Sequence, residues 1–165
     1  MDFARIIKHL LAPHWVVRRA FPKGALEHIE AAIKSSENAH YGELRFAVEA
    51  GLDLIPLIRG VAPRDRASEV FSQLRVWDTE YNSGVLIYVQ LVDHRIEIVA
   101  DRGISAKVPP EEWSAICRRM EAAFHERRFE RGALQGIEDV TALLKRHFPQ
   151  SRSGANELPD RPVVL

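Results

Sequence analysis

The chain is short of cysteine, of net charge and of long apolar runs, and each shortage removes a class of protein. Cys117 is the only cysteine in 165 residues. A lone thiol excludes an internal disulfide and a zinc ribbon, and it fits a reducing compartment. It falls within a helical apolar pattern, so it reads as a buried thiol and not as a nucleophile. Lysine plus arginine (23) balance aspartate plus glutamate (23). No overall field therefore invites nucleic acid or an acidic lipid surface, local patches apart. No apolar run reaches the ~18 residues of a membrane-spanning helix. Nucleotide-binding loops of the G-x-x-x-x-G-K or G-x-G-x-x-G type are missing, as are H-E-x-x-H and G-x-S-x-G. The seven histidines show no ligand spacing. His28, His94, His125 and His147 are assigned to the surface or to core hydrogen bonds.

What is present is a set of alternating periods. In residues 1–20, Phe3, Ile6, Ile7, Leu10 and Leu11 share one helical stripe before Pro13, with Arg5 and Lys8 on other faces. This amphipathic segment either packs on the domain or lies as a basic helix on a membrane or partner. Lys8, His9, Pro13 and His14 interrupt it and no small-residue cleavage site follows. It is therefore read as part of a mature cytoplasmic protein and not as an export signal.

Pro22 opens a helix carrying Leu26, Ile29 and Ile33. Leu44, Phe46, Val48 and Ala50 then alternate with Glu43, Arg45 and Glu49, as in a half-exposed strand. A helix from Pro63 presents Ala67, Val70, Phe71 and Leu74. The nearly continuous apolar run from Gly84 to Val92 reads as the central strand. Asp93-His94 turns the chain into a third strand, Arg95 to Ala100. Pro109-Pro110-Glu111-Glu112 starts a helix with Trp113, Ile116, Cys117, Met120 and Phe124 inward. A last helix follows Gly132, with Ile137, Val140, Leu144 and Phe148 inward, and stops at Pro149. Residues 150–165 read as a disordered tail. The order predicts an α/β domain over residues 21–149, a three-layer α/β/α sandwich with a mixed sheet. A βαβ unit comes first, then an antiparallel hairpin and two helices.

Two segments stand out as candidate surfaces. Between Gly51 and Gly60, Leu52, Leu54, Ile55, Leu57 and Ile58 are too apolar for a solvated loop, so they are packed down or contact a partner. The loop from Arg75 to Gly84 holds Asp78, Glu80 and Asn82 at alternating positions, an oxygen set suited to Ca²⁺ or Mg²⁺. The hairpin brings Asp101-Arg102-Gly103 to the same sheet edge. Three carboxylates, one amide and two arginines, Arg75 and Arg102, then surround one place, which suits a cation, a phosphate or both. Equally, Asp78 and Asn82 satisfy turn amides, Arg102 pairs with Asp101 or Glu80, and Trp77 is core. An EF-hand is excluded, because its sixth position is Ser83 and its twelfth Val89.

The stretches RVWDTEYNSGVLIYVQLVDHRIEIVADRGI, VPPEEWSAICRRMEAAF and GALQGIEDVTALLKRHFP resemble TPM-domain proteins, which include a thylakoid lumen phosphatase and photosystem repair proteins. The resemblance spans residues 21–149 and is most specific over 71–118. It implies a polar pocket beside the loop before the GVLI strand. Among such proteins are acid phosphatases, divalent-metal binders and factors for assembly or repair of membrane complexes, and bacterial relatives associate with LemA-type proteins. The family's acidic or amide position falls on Asn82-Ser83-Gly84, and Asp101 matches the residue closing the third strand. Ser83 replaces the usual Asn or Asp, and an Asn ligand supplies no charge where an Asp would. The family's export signal and C-terminal membrane segment are not seen, which points to a short cytoplasmic variant. The expected function is a divalent-cation-binding accessory or interaction module. The alternatives are a metal-assisted phosphatase using Asp78 or Asp101 with Arg75 or Arg102, and an interaction domain without a ligand.

Overall fold

The computed structural model describes residues 9, 15–52, 57, 60–149 and 156–165. The first helical stripe lies outside them, and of residues 1–14 only His9 is described. Their elements run α1 (Trp15–Ala20), α2 (Lys23–Glu37), β1 (Glu43–Glu49), α3 (Pro63–Gln73), β2 (Gly84–Gln90) and β3 (Arg95–Ala100). They continue with α4 (Arg102–Ser105), α5 (Pro110–His125), α6 (Phe129–His147) and β4 (Val163–Val164). The strands form one mixed sheet in the order β3-β2-β1-β4. Strands β1 and β2 are parallel, with Leu44 opposite Val85, while β2 and β3 form the expected antiparallel hairpin.

One face of the sheet is apolar throughout. Leu44, Phe46 and Val48 of β1, Val85, Ile87 and Val89 of β2, and Ile96 and Ile98 of β3 point to it. The inward stripes of α2, α5 and α6 cover them, with Phe21 contacting Phe46 and Phe124 edge-on at 5.8 and 5.9 Å. Helix α6 begins three residues before Gly132, so this glycine sits inside the helix and does not open it. The reason is packing: a Cβ at Gly132 would lie 2.9 Å from Ala123 and Phe124, so its absence lets α5 and α6 approach.

The opposite face differs from expectation. Strand β1 is buried along its whole length, and Glu43, Arg45 and Glu49 are buried with it. Helix α3 covers part of this face with Ala67, Val70 and Phe71. Residues 156–165 cover more of it. Val163 and Val164 pair in parallel with Ala47 and Val48, the Leu165 amide donates to Val48 O, and Leu158 is buried beside Ala47. These ten residues are thus a strap and not a disordered tail. Residues 150–155 lie outside the described set.

Buried charges on this face are partnered. Arg66 makes a two-pronged contact with Glu49 (2.7 and 3.2 Å) and a third bond to Glu69, while the Tyr88 hydroxyl donates to Glu49. Glu43 accepts the amides of Glu157 and Leu158, and Arg45 donates to Arg161 O. The free edge of β3 is plugged as well: Glu121 accepts the Ile96 amide and Arg64 donates to Ile98 O, which removes an edge open to foreign strands. Cys117 is mostly buried, and burial pushes its thiol up to about 12, as suits an inert side chain.

Candidate functional site

The loop before β2 and the turn after β3 meet at one end of the sheet. Their contact follows from register: Val85 lies opposite Ala100, so Gly84 and Asp101 are the next neighbours outward. The Asp101 amide donates to Gly84 O (2.8 Å) and the Gly103 amide to Asn82 O (3.1 Å). Both glycines are required by this closeness. A Cβ at Gly84 would stand 1.8 Å from Val76 O, and one at Gly103 would stand 2.5 Å from Tyr81 O. Asn82 has φ 51°, a left-handed conformation that asparagine tolerates better than most residues.

Two of the expected donors do meet. Arg102 Nε donates to Asn82 Oδ1 at 2.8 Å, and Asp101 Oδ1 accepts the Arg102 amide at 2.7 Å, capping the four-residue helix α4. The second Asp101 oxygen, Oδ2, is shielded from solvent and has no hydrogen-bond partner among the described residues, and the same holds for Ser83 Oγ. Asp78, Glu80 and Arg75 stand on the same loop, but their side chains are exposed and make no polar contact among the described residues. Among the described residues no three His, Cys, Asp or Glu side chains are gathered in a way that would hold a metal ion.

Sequence reasoning missed several residues around this edge. Glu157 of the strap accepts the Glu80 amide at 2.8 Å and so ties the loop to the strap. Thr79 holds the other side by accepting the Ser83 amide. Trp77, a core residue only in the alternative structural reading of the loop, is 51% exposed; with Tyr81 (54%) and Tyr41 (36%) it is among the few exposed large apolar side chains of the described residues. Tyr41 stacks edge-on against Tyr81 at 6.1 Å and against Phe148 at 5.4 Å. Nothing in the residue pattern marks Glu157, whereas the tyrosines flanking the two turns were visible as aromatics outside any buried stripe.

The apolar 51–60 segment divides. Leu52 and Leu57 are buried, so they do not form an exposed partner surface. Burial at Leu52 is fixed by His9, whose Nδ1 accepts its amide at 2.9 Å while Nε2 lies 3.1 Å from Asp93. Leu54, Ile55 and Ile58 lie outside the described residues.

Two ionisable groups flank the site. Glu37, at the end of α2, accepts the Leu44 amide, and burial pushes its carboxyl up to about 8, with Glu43 and Asp160 adding repulsion. His40 is buried and lowered to about 4 by that burial. Its Nδ1 accepts the Gly42 amide, which assigns the proton to Nε2 facing Ser36 Oγ, and Ser36 continues to Thr141 on α6.

Comparison with known proteins agrees with this architecture. A family model described as the TPM domain matches residues 19–143. The solution structure of BA42 from the psychrophilic bacterium Bizionia argentinensis superposes with a TM-score of 0.72 at 28% identity, over 86% of this chain and 93% of that one. An N-terminal domain of a P. gingivalis protein superposes with a TM-score of 0.63 at 17% identity, over 87% of this chain and 95% of that one, a likeness of fold alone. No curated protein matches the chain. No helix among the described residues is long and apolar enough to cross a membrane.

Proposed function

Because this chain belongs to the TPM-domain family, we propose that it is a binding module whose ligand edge is the 78–84 loop with Asp101–Gly103, and that this edge takes a divalent cation. The observation that carries the reading is Asp101 Oδ2, a shielded carboxylate oxygen without a partner among the described residues. Such an oxygen is costly to leave unsatisfied, and a hard cation is one group that would satisfy it. The donor chemistry suits Ca²⁺ or Mg²⁺, since Asp101 and Asn82 offer oxygen and the exposed carboxylates of Asp78 and Glu80 share the loop. Asn82 Oδ1 would have to exchange Arg102 for the ion. The exposed aromatics Tyr41, Trp77 and Tyr81 rim the same end and suit contact with a protein partner. The family resemblance suggests a LemA-type or membrane-complex component for that role.

Hydrolysis of a phosphomonoester would draw on the same residues, with Asp78 or Asp101 as base or nucleophile and Arg102 or Arg75 on the phosphate. Binding is the better reading. Asp101 Oδ1 already caps α4, its other oxygen is shielded, and Arg102 is held on Asn82.

Melting of metal-stripped protein during Ca²⁺, Mg²⁺ and Mn²⁺ titration tests the proposal. At a hundred times the dissociation constant, binding adds about 2.7 kcal/mol, or about 5–10 °C for a chain of this size. Asp101→Asn should abolish the rise while keeping the helix cap, because Asn caps as well as Asp. An unchanged wild-type melting temperature with all three ions would sink the cation reading. Phosphomonoester turnover abolished by Asp101→Asn would favour the hydrolytic one.

A further inference from the structure

The chain is neutral overall, but its charge is not evenly spread. A cleft of about 740 Å³ opens between the end of α1 and the turn joining α5 to α6. Four arginines line it: Arg19, Arg127, Arg128 and Arg131. Among the described residues only Arg128 of these has an ion-pair partner, Glu126 at 2.9 Å. Arg19, Arg127 and Arg131 make no side-chain hydrogen bond or ion pair among the described residues.

Two carboxylates in the lining, Glu130 and Glu138, offset part of this charge, and four arginines against two glutamates leave the lining with a net charge of +2. Glu130 is bound by His28 Nδ1 at 2.6 Å and Glu138 by Gln135 Nε2 at 3.3 Å. Three exposed guanidiniums without a side-chain partner among the described residues thus share one open cleft, an arrangement that favours an anion. Guanidinium presents a planar donor fork that matches phosphate oxygens two at a time. Phe129 and Leu134 give the cleft an apolar wall. Trp15 adds a second feature. It is 57% exposed and lies one helical turn before Arg19, on the same face of α1.

We infer that this cleft is a binding site for a phosphate-bearing anion, separate from the edge formed by the 78–84 loop and Asp101. The phosphate would sit among Arg19, Arg127 and Arg131, which hold no side-chain partner among the described residues. Soluble phosphate compounds and anionic lipid headgroups both carry this chemistry. Trp15 would report on either, by a change at the cleft mouth or by insertion at a lipid surface.

The test uses the full chain at low and at physiological salt. Pyrophosphate and inorganic phosphate are titrated calorimetrically, and binding to phosphatidylglycerol-containing and pure phosphatidylcholine vesicles is measured by sedimentation. Arg127→Gln/Arg131→Gln is compared with Lys34→Gln/Arg118→Gln, which removes the same charge from exposed positions outside the cleft. Saturable, salt-sensitive binding is expected, weakened at least tenfold by the first pair and less than twofold by the second, with melting temperatures unchanged. Saturation by pyrophosphate would assign a soluble ligand. Retention on phosphatidylglycerol vesicles with no uptake of the free anions would assign a headgroup. Equal losses in the two variants, or no binding in any arm, would overturn the site.

Discussion

The two faces of the sheet are built by opposite means. Toward α2, α5 and α6 the strands present only aliphatic and aromatic side chains, and the covering helices carry long periodic stripes. Toward α3 and the strap the same β1 presents Glu43, Arg45 and Glu49, and the cover consists of an eleven-residue helix and a strap with one buried leucine. Apolar packing is graded, because each lost methylene costs its own share. A partnered charge set is closer to all-or-none, because losing one member strands the others without water. The polar face is thus more easily broken by one substitution and more responsive to protons.

The sharpest break should come at Arg66. Arg66→Met leaves Glu49 buried without its cation and is expected to cost about 3–5 kcal/mol in urea unfolding. Glu49→Gln/Arg66→Met should recover most of that loss. On the other face Ile87→Val should cost only about 1 kcal/mol. If the double variant is no better than Arg66→Met, the network is not a closed pair and the contrast fails.

A smaller effect is expected at the strap. Leu158→Ala should cost about 2 kcal/mol, at the low end for a buried leucine because the strap lies over a sheet margin. Hydrogen exchange should show residues 156–165 opening before β1 and β2, and more readily in the variant. Simultaneous exchange of strap and central strands would mean that the second face is as cooperative as the first.

The smallest effect separates the faces by pH. Glu37, beside the strap, has a folded value near 8 against 4.5 in the unfolded chain. Its contribution is complete below pH 4.5 and is lost as pH rises toward 8. His40, linked to α6 through Ser36 and Thr141, has a folded value near 4 against 6.5. Its contribution is complete above pH 6.5 and is lost as pH falls toward 4. The two slopes oppose one another between about pH 4.5 and 6.5, so stability should be nearly flat there. From pH 6.5 to 8 it should decline by about 1–2 kcal/mol. Glu37→Gln should remove that decline and leave the acid limb in place. A wild-type stability that rises between pH 6.5 and 8 would contradict the assignment.

The legible parts of the sequence were those with a repeating physical constraint. The hairpin announced itself through a fully apolar strand, Asp93-His94 and an alternating partner, and its register correctly joined Asn82 to the Asp101–Gly103 turn. The stripes of α5 and α6 marked one face of the sandwich. Alternation in β1 correctly separated two faces but misjudged the polar one as solvated, because nothing local says that Glu43 will receive amides from residues 157 and 158. The strap was illegible for a related reason: two paired valines and one buried leucine are too few to show a period. At the candidate site, topology foresaw that Asn82, Asp101 and Arg102 would meet at one sheet edge. The outward stance of Asp78 and Glu80 was not, since alternation in a loop does not fix side-chain direction as it does in a strand.

The strap's partnership with β1 also has a timetable. Glu43 and Leu158 are bonded across 115 residues of chain. At ribosomal speeds of about 5–20 residues per second, that interval takes about 6–23 s. Throughout it, the nascent β1 has no strap along its margin, and its buried acid and arginine lack the backbone groups that will receive them. Loop closure over such a span is entropically slow to begin and aggregation-exposed while it waits. Strap docking is therefore a late event in the life of each new molecule, and the polar face is the side on which a chaperone would find it unfinished.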